Sequence, residues 1–198
     1  MVFSAGTLRV LKDAGVDAVY IHVISDGRDT PPSSAAAHVK PLEEWVEKHR
    51  FGYIASVTGR YFAMDRDNRW DRVQLFYDLL TKGAPDSPVF DDVYDAIEDA
   101  YDRDQTDEFI KPRKTKHFKP VSNDDAVIFF NYRFDRAAEI TKAFVQDDFS
   151  AFETKDLHHL FYLCTTEYYK DIFHSKRANV KVAFPLEKMS SLMGKVIG

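Results

Sequence analysis

A chain of 198 residues, 44% hydrophobic and 30% charged, is long enough for one domain with a sizeable core and has the composition of a soluble globular protein. Its net charge of −5 argues against a general nucleic-acid binder, which is usually basic, but leaves room for a local basic pocket. No apolar run is long and uncharged enough to span a membrane, and residues 1–10 lack the pattern of a secretory signal.

In chain order, residues 5–14 read as a helix with Leu8 and Leu11 on one face, stopped by Gly15. The apolar run over 18–24 is the pattern of a strand buried on both faces. A polar loop follows, and Thr30 ahead of Pro31-Pro32 reads as the N-cap of a helix over 33–49. A second strand is expected over 53–57, then a polar turn, then a helix over 70–80 that Gly83 ends. Pro85 and Pro88 mark a loop, 93–101 reads as an acidic helix, and the basic stretch 111–119 reads as loop or a short edge element. The cleanest unit is a buried strand over 126–130, a turn, and a helix over 135–145. Strands over 159–163 and 180–184 and a helix over 186–197 close the chain. Cys164, the single cysteine, lies in an apolar run and reads as a small core residue, which suits a reducing cytoplasm. This alternation predicts one α/β domain over residues 1–198, three-layered, with a mainly parallel sheet flanked by helices.

Three strand-to-helix turns carry arginine. They are Asp26-Gly27-Arg28-Asp29-Thr30, Gly59-Arg60 with Asp65-Arg66-Asp67, and Asn131-Tyr132-Arg133-Phe134-Asp135-Arg136. Ligands of open α/β sheets bind beyond the carboxyl ends of the strands, so the three turns are expected at one edge. A helix N-terminus carries partial positive charge, and an arginine just ahead of it is unfavourable unless an anion sits nearby. Guanidinium groups match phosphate and carboxylate in bidentate fashion, which makes Arg28, Arg60, Arg66, Arg133 and Arg136 candidate anion ligands. Arg133 and Arg136 are three apart and share a helical face.

A second reading of the same residues stays open. Arg66, Arg69 and Arg72 alternate with Asp65, Asp67 and Asp71, the pattern of a salt-bridged solvated surface. Asp29 reads either as a helix cap or as a general acid or base for a substrate hydroxyl. His22 and the His158-His159 pair have no partner at metal-ligand spacing, and there is no glycine-rich phosphate loop. Residues 164–168 follow a strand and read first as an ordinary strand end.

Taken together, these turns resemble the cofactor-independent phosphoglycerate mutases. The resemblance rests on the Asp26 to Pro32 run, on the long Gly59 to Val73 run, and on Phe129 to Ala137, with Asp124-Asp125 and Thr166-Glu167-Tyr168 in the right order. It implies interconversion of 3-phosphoglycerate and 2-phosphoglycerate in glycolysis and gluconeogenesis, without 2,3-bisphosphoglycerate. By motif position, the five arginines would bind the phosphate or carboxylate. Asp29 would hydrogen-bond the glycerate hydroxyls and act as general acid/base. The family has a second, alkaline-phosphatase-like domain holding two Mn²⁺ ions and a serine acceptor. Nothing here matches its metal ligands or serine, so the chain is expected to be the inserted substrate-binding domain, inactive alone and binding no metal. Phe134 departs from a common proline, and Tyr132 from a common phenylalanine. Two alternatives are a free-standing phosphate-ester-binding module and, less in keeping with the charge, a nucleic-acid binder using Tyr61, Phe62 and Trp70.

Overall fold

A computed structural model of the chain describes residues 5–84, 87–170 and 172–185. The first half begins with α1 (Ala5–Asp13), β1 (Tyr20–Ser25), α2 (Ala35–His49) and β2 (Tyr53–Gly59), and β2 runs directly into a single helical turn, α3 (Arg60–Ala63). There follow α4 (Trp70–Lys82), β3 (Val89–Phe90), α5 (Val93–Asp102) and β4 (Arg113–Thr115). The second half holds β5 (Ala126–Phe129), α6 (Phe134–Val145), β6 (Leu160–Thr166) and β7 (Ala178–Phe184). The fold is three-layer α/β. Among the described strands, the order is β1-β2-β4-β3 in one sheet and β5-β6-β7 in another, and all pairings are parallel except β2 with β4.

Local chemistry explains most element ends. Asp92 caps α5, its carboxylate accepting the Tyr94 and Asp95 N–H groups at 2.8 and 3.0 Å. Gly83, in the left-handed region, closes α4 as its sequence position predicts. The apolar faces then pack in two clusters. Val39 of α2 and Ile97 of α5 meet Val23 and Val57 of the first sheet. Tyr77 of α4 and Phe144 of α6 meet Leu160 and Tyr162 of β6. Each such fully buried side chain contributes about 1.5–3 kcal/mol. Cys164 is fully buried and free, as its apolar setting predicts.

Four expectations change. β1 and β5 are not buried on both faces. β1 alternates buried and half-buried residues, and β5 is half-exposed, because each hydrogen-bonds to only one neighbour among the described strands. The 111–119 stretch is not an edge, since β4 lies between β2 and β3. Its basic residues fit there because Arg113 is buried against Asp99 at 3.0 Å and Lys114 donates to the Gly83 carbonyl at 2.6 Å. Thr30 does not cap α2, whose N-cap is Ser34. Its hydroxyl instead accepts the Gly27 N–H at 3.1 Å, closing the first arginine turn on itself. Val89–Phe90 forms the two-residue β3, too short for periodicity to reveal. The helix expected over 186–197 lies outside the described residues.

Candidate functional site

β1 and β2 run parallel and end in register, Ser25 opposite Gly59, so the first two turns leave the sheet side by side. Asp26 folds back on its own turn, its Oδ1 accepting the Arg28 and Asp29 N–H groups at 3.2 and 3.3 Å. The same oxygen accepts Arg60 Nη1 at 2.6 Å, while Asp29 Oδ2 accepts it at 2.8 Å. Arg60 is almost fully buried at the start of α3. Burial works against its charge, but the hydrogen bonds from Arg60 to Asp29 and Asp26 outweigh it and raise its pKa. Asp26 mirrors this: burial pushes its carboxyl up, and the Arg60 and backbone hydrogen bonds pull it below the usual range.

The second and third turns also meet. Asp135, in the first turn of α6, takes Arg66 Nη1 at 3.0 Å on Oδ2 and is gripped by Arg133 through both oxygens at 3.2 and 3.1 Å. Burial raises the Asp135 pKa, and the Arg133 and Arg66 hydrogen bonds more than reverse that. Arg136 donates to the Met64 carbonyl at 3.0 Å. Its pKa is lowered, first by burial and then by repulsion from Arg60, Arg66 and Arg133, with Asp135 only partly compensating. Four arginines from two turns thus share one field. The Nε atoms of Arg60 and Arg136 are buried with no hydrogen-bond partner among the described residues, two donors left unsatisfied by the protein itself.

Arg28 stands apart from this group. Its side chain is mostly exposed and its Nη1 lies 3.6 Å from Glu108 Oε1. The sequence reading missed the segment 107–109 that brings Glu108 there. Asp107 is buried; its carboxylate accepts the Ser34 N–H at 2.8 Å at the start of α2, and its carbonyl accepts Ser25 Oγ at 2.7 Å. The segment lies so close to both turns that only glycine fits at two places. A Cβ on Gly27, whose φ is +66°, would fall 2.6 Å from Glu108 N, and one on Gly59 would strike the Glu108 carbonyl. The glycines of both motifs therefore hold this segment between the turns. Also unforeseen were Asp26 and Asp135 as the arginines' partners; an acid beside arginine in each turn was the available signal.

The remaining candidates have structural roles. Thr165 Oγ1 donates to the Phe129 carbonyl at 2.9 Å and accepts the Asn131 N–H at 3.2 Å, while Tyr168 Oη lies 2.8 Å from the Phe129 and Asn131 carbonyls. The strand end at 164–168 thus braces the third turn. His22 bonds Ser56 Oγ at 2.8 Å, and burial lowers its pKa to about 4. His159 faces Asp124 at 3.0 Å on the surface. The rings considered for nucleic acid are engaged: Phe62 is buried, Trp70 packs edge-on to Phe149, and the Arg72 guanidinium lies 3.7 Å over Tyr61.

Fold and site together define an α/β domain with a clustered-arginine edge suited to small phosphorylated or carboxylated anions. Residues 4–170 match the family described as BPG-independent PGAM N-terminus. The 2,3-bisphosphoglycerate-independent phosphoglycerate mutase 1 of Methanosarcina acetivorans is 40% identical over 195 residues, covering 96% of this chain and 36% of its own length. A 2,3-bisphosphoglycerate-independent phosphoglycerate mutase of Francisella tularensis subsp. novicida is 39% identical over 193 residues, with the same coverage. A solved phosphoglycerate mutase of Leishmania mexicana, studied at low cobalt concentration, superposes with a TM-score of 0.80 at 27% identity, covering 91% of this chain and 34% of that one. The chain belongs to the BPG-independent phosphoglycerate mutase N-terminus family. It spans about a third of the length of the curated relatives it matches.

Proposed function

We propose that this edge binds the phosphate and carboxylate of 3-phosphoglycerate and 2-phosphoglycerate, as the substrate-binding domain of a cytoplasmic phosphoglycerate mutase. One observation carries the reading: Arg66 and Arg133, from two different turns, converge on the single carboxylate of Asp135 while Arg136 beside them finds the Met64 carbonyl, an excess of positive charge that a bound anion relieves. Arg28, Arg66, Arg133 and Arg136 then hold the anionic groups, with Arg60 anchored behind them by Asp26 and Asp29. Asp29, mostly exposed beside Arg60, accepts the glycerate hydroxyls and takes or returns a proton during transfer. Family membership supports this assignment, as do relatives whose names specify independence from 2,3-bisphosphoglycerate.

Among the described residues, no three His, Cys, Asp or Glu side chains are grouped to hold a metal. They do not fit the two Mn²⁺ ions that the resemblance implies. We assign the metal ions, the phosphoryl acceptor and the phosphatase-like domain to the part of the relatives that this chain does not span. No described helix is long and apolar enough to cross a membrane. Titrating the chain with 3-phosphoglycerate, followed by NMR, is expected to shift resonances at all three turns with weak affinity. Unmoved turns at millimolar ligand would refute a preformed site.

A further inference from the structure

Beneath the second turn lie two buried carboxyl groups, Asp65 and Glu139, at 5% and 4% exposure. Asp65 is well supplied with positive partners. Its Oδ1 accepts the Asp67 and Arg69 N–H groups at 2.9 and 3.0 Å, and its Oδ2 lies 3.6 Å from Arg69 and 3.5 Å from Arg72. Glu139, on α6, is not. Its Oε1 accepts the Asn68 N–H at 2.8 Å, and its Oε2 is buried with no donor among the described residues. Lys142, one turn further along α6, acts on it only through its charge; Arg136, one turn back, is turned toward Met64 instead.

Two ionised carboxylates in contact in a buried site repel, and an ionised oxygen without a donor carries the full cost of desolvation. A single proton on Glu139 Oε2 removes both penalties, because the oxygen becomes a hydroxyl that donates to the Asp65 carboxylate. The proton belongs on Glu139 rather than Asp65, since two backbone N–H groups and two guanidinium groups favour the Asp65 anion.

We propose that Glu139 is a positioning residue of the arginine edge: held as a neutral acid, it donates to Asp65 and accepts from Asn68, locking the second turn onto α6. Arg136 makes the companion contact one helical turn away, at the Met64 carbonyl. The two side chains hold both flanks of Asp65, and with them the segment carrying Arg66. The effect on ligand rests on the binding role proposed above; the placement of the proton does not.

The directions of titration agree. Burial, then contact with Asp65, raises the Glu139 pKa. Burial raises the Asp65 carboxyl too, but the Arg69 and Asp67 N–H groups and the Glu139 hydrogen bond bring it below the usual range. A raised acid pKa gives stability that is complete below the unfolded value and lost as pH rises through the folded one. The test compares wild type, Glu139→Gln and Glu139→Ala by thermal unfolding from about pH 5 to about pH 8. Gln preserves the neutral, two-sided hydrogen bonding. Its melting temperature should gain on wild type as pH rises, while the Ala variant is lower throughout, and the Asn68 amide resonance should titrate only in wild type. A pH-independent gap between wild type and Gln, or a Gln variant as unstable as Ala, overturns the proposal. In parallel, 3-phosphoglycerate is titrated into wild type and Gln at matched pH, so that the ligand's own ionisation cancels. Wild type should lose affinity relative to Gln at the alkaline end; equal affinities with a clear thermal signature would refute the positioning role and keep the proton. If wild type binds no 3-phosphoglycerate, the binding reading fails while the thermal comparison still decides the proton.

Discussion

At the junction of the first and second turns, buried Arg60 faces two carboxylates; at the junction of the second and third, Arg66 and Arg133 share Asp135 while Arg136 donates to the Met64 carbonyl. The first junction is neutralised by its own residues and sealed by the segment 107–109, which Gly27 and Gly59 admit. The second keeps surplus positive charge near solvent, with Arg66 and Arg133 about half exposed. The same residue type therefore does two jobs on one edge. Arg60 ties β1 to β2 at their ends, and Arg66 and Arg133 hold their charge at the surface, where the proposed ligand would meet it.

The comparison breaks hardest at Arg60. Arg60→Ala strands Asp26 beside an emptied site, and breaking a buried pair costs about 3–5 kcal/mol. Asp29 stays largely in water and loses little, so a figure of about 2–3 kcal/mol is expected. That corresponds to a fall in melting temperature of roughly 5–10 °C for a chain of this length. A loss below about 0.5 kcal/mol, the range of ordinary surface changes, would show that the first junction holds nothing together.

Arg133→Ala should behave in the opposite sense. Stability should stay within about 0.5 kcal/mol of wild type, because the side chain is exposed and its partner is retained by Arg66. Affinity for 3-phosphoglycerate, read by calorimetry, should fall about tenfold, as expected for a lost charge-assisted hydrogen bond. A stability loss like that at Arg60 with unchanged affinity would make both junctions structural.

The difference between the junctions also explains what the sequence made legible. Strand, turn and helix order followed from apolar periodicity, and the three arginine turns followed from their position at strand ends. Periodicity is blind to the rest. β4 is three residues long and enters the sheet because Arg113 finds Asp99 on α5, a contact across the fold. Asp107 stands 73 positions from Ser34, whose N–H it accepts, so no local spacing could pair them. Within the alternating run, Arg69 pairs with Asp65 and Asp67 and Arg72 with Asp65, as a salt-bridged reading expects, but Asp65 is buried rather than solvated and Arg66 pairs outside the run with Asp135, a partner no local spacing could reveal. Thr30 has the chemistry of a cap, but Asp107 already serves the start of α2 from outside.

The finest test of the contrast is Asp135→Asn. In the free protein, Asp135 occupies the guanidinium groups of Arg66 and Arg133 that a ligand would use, and its charge partly offsets the field at Arg136. Neutralising it should tighten 3-phosphoglycerate about two- to fivefold, the scale of a partly exposed ion pair of up to about 1 kcal/mol. The gain should shrink with added salt, since the competition is electrostatic. Because Arg133 and Arg66 hold the Asp135 pKa below the ordinary carboxylate range, wild type stays charged at neutral pH and the gap between the two proteins is open there. As pH falls through that depressed value, wild-type Asp135 takes up a proton, comes to resemble the amide, and the gap should close. Weaker binding by the Asn variant would reverse the assignment: Asp135 would then be the brace that aims Arg66 and Arg133, and the second junction would owe its function to pairing, as the first does.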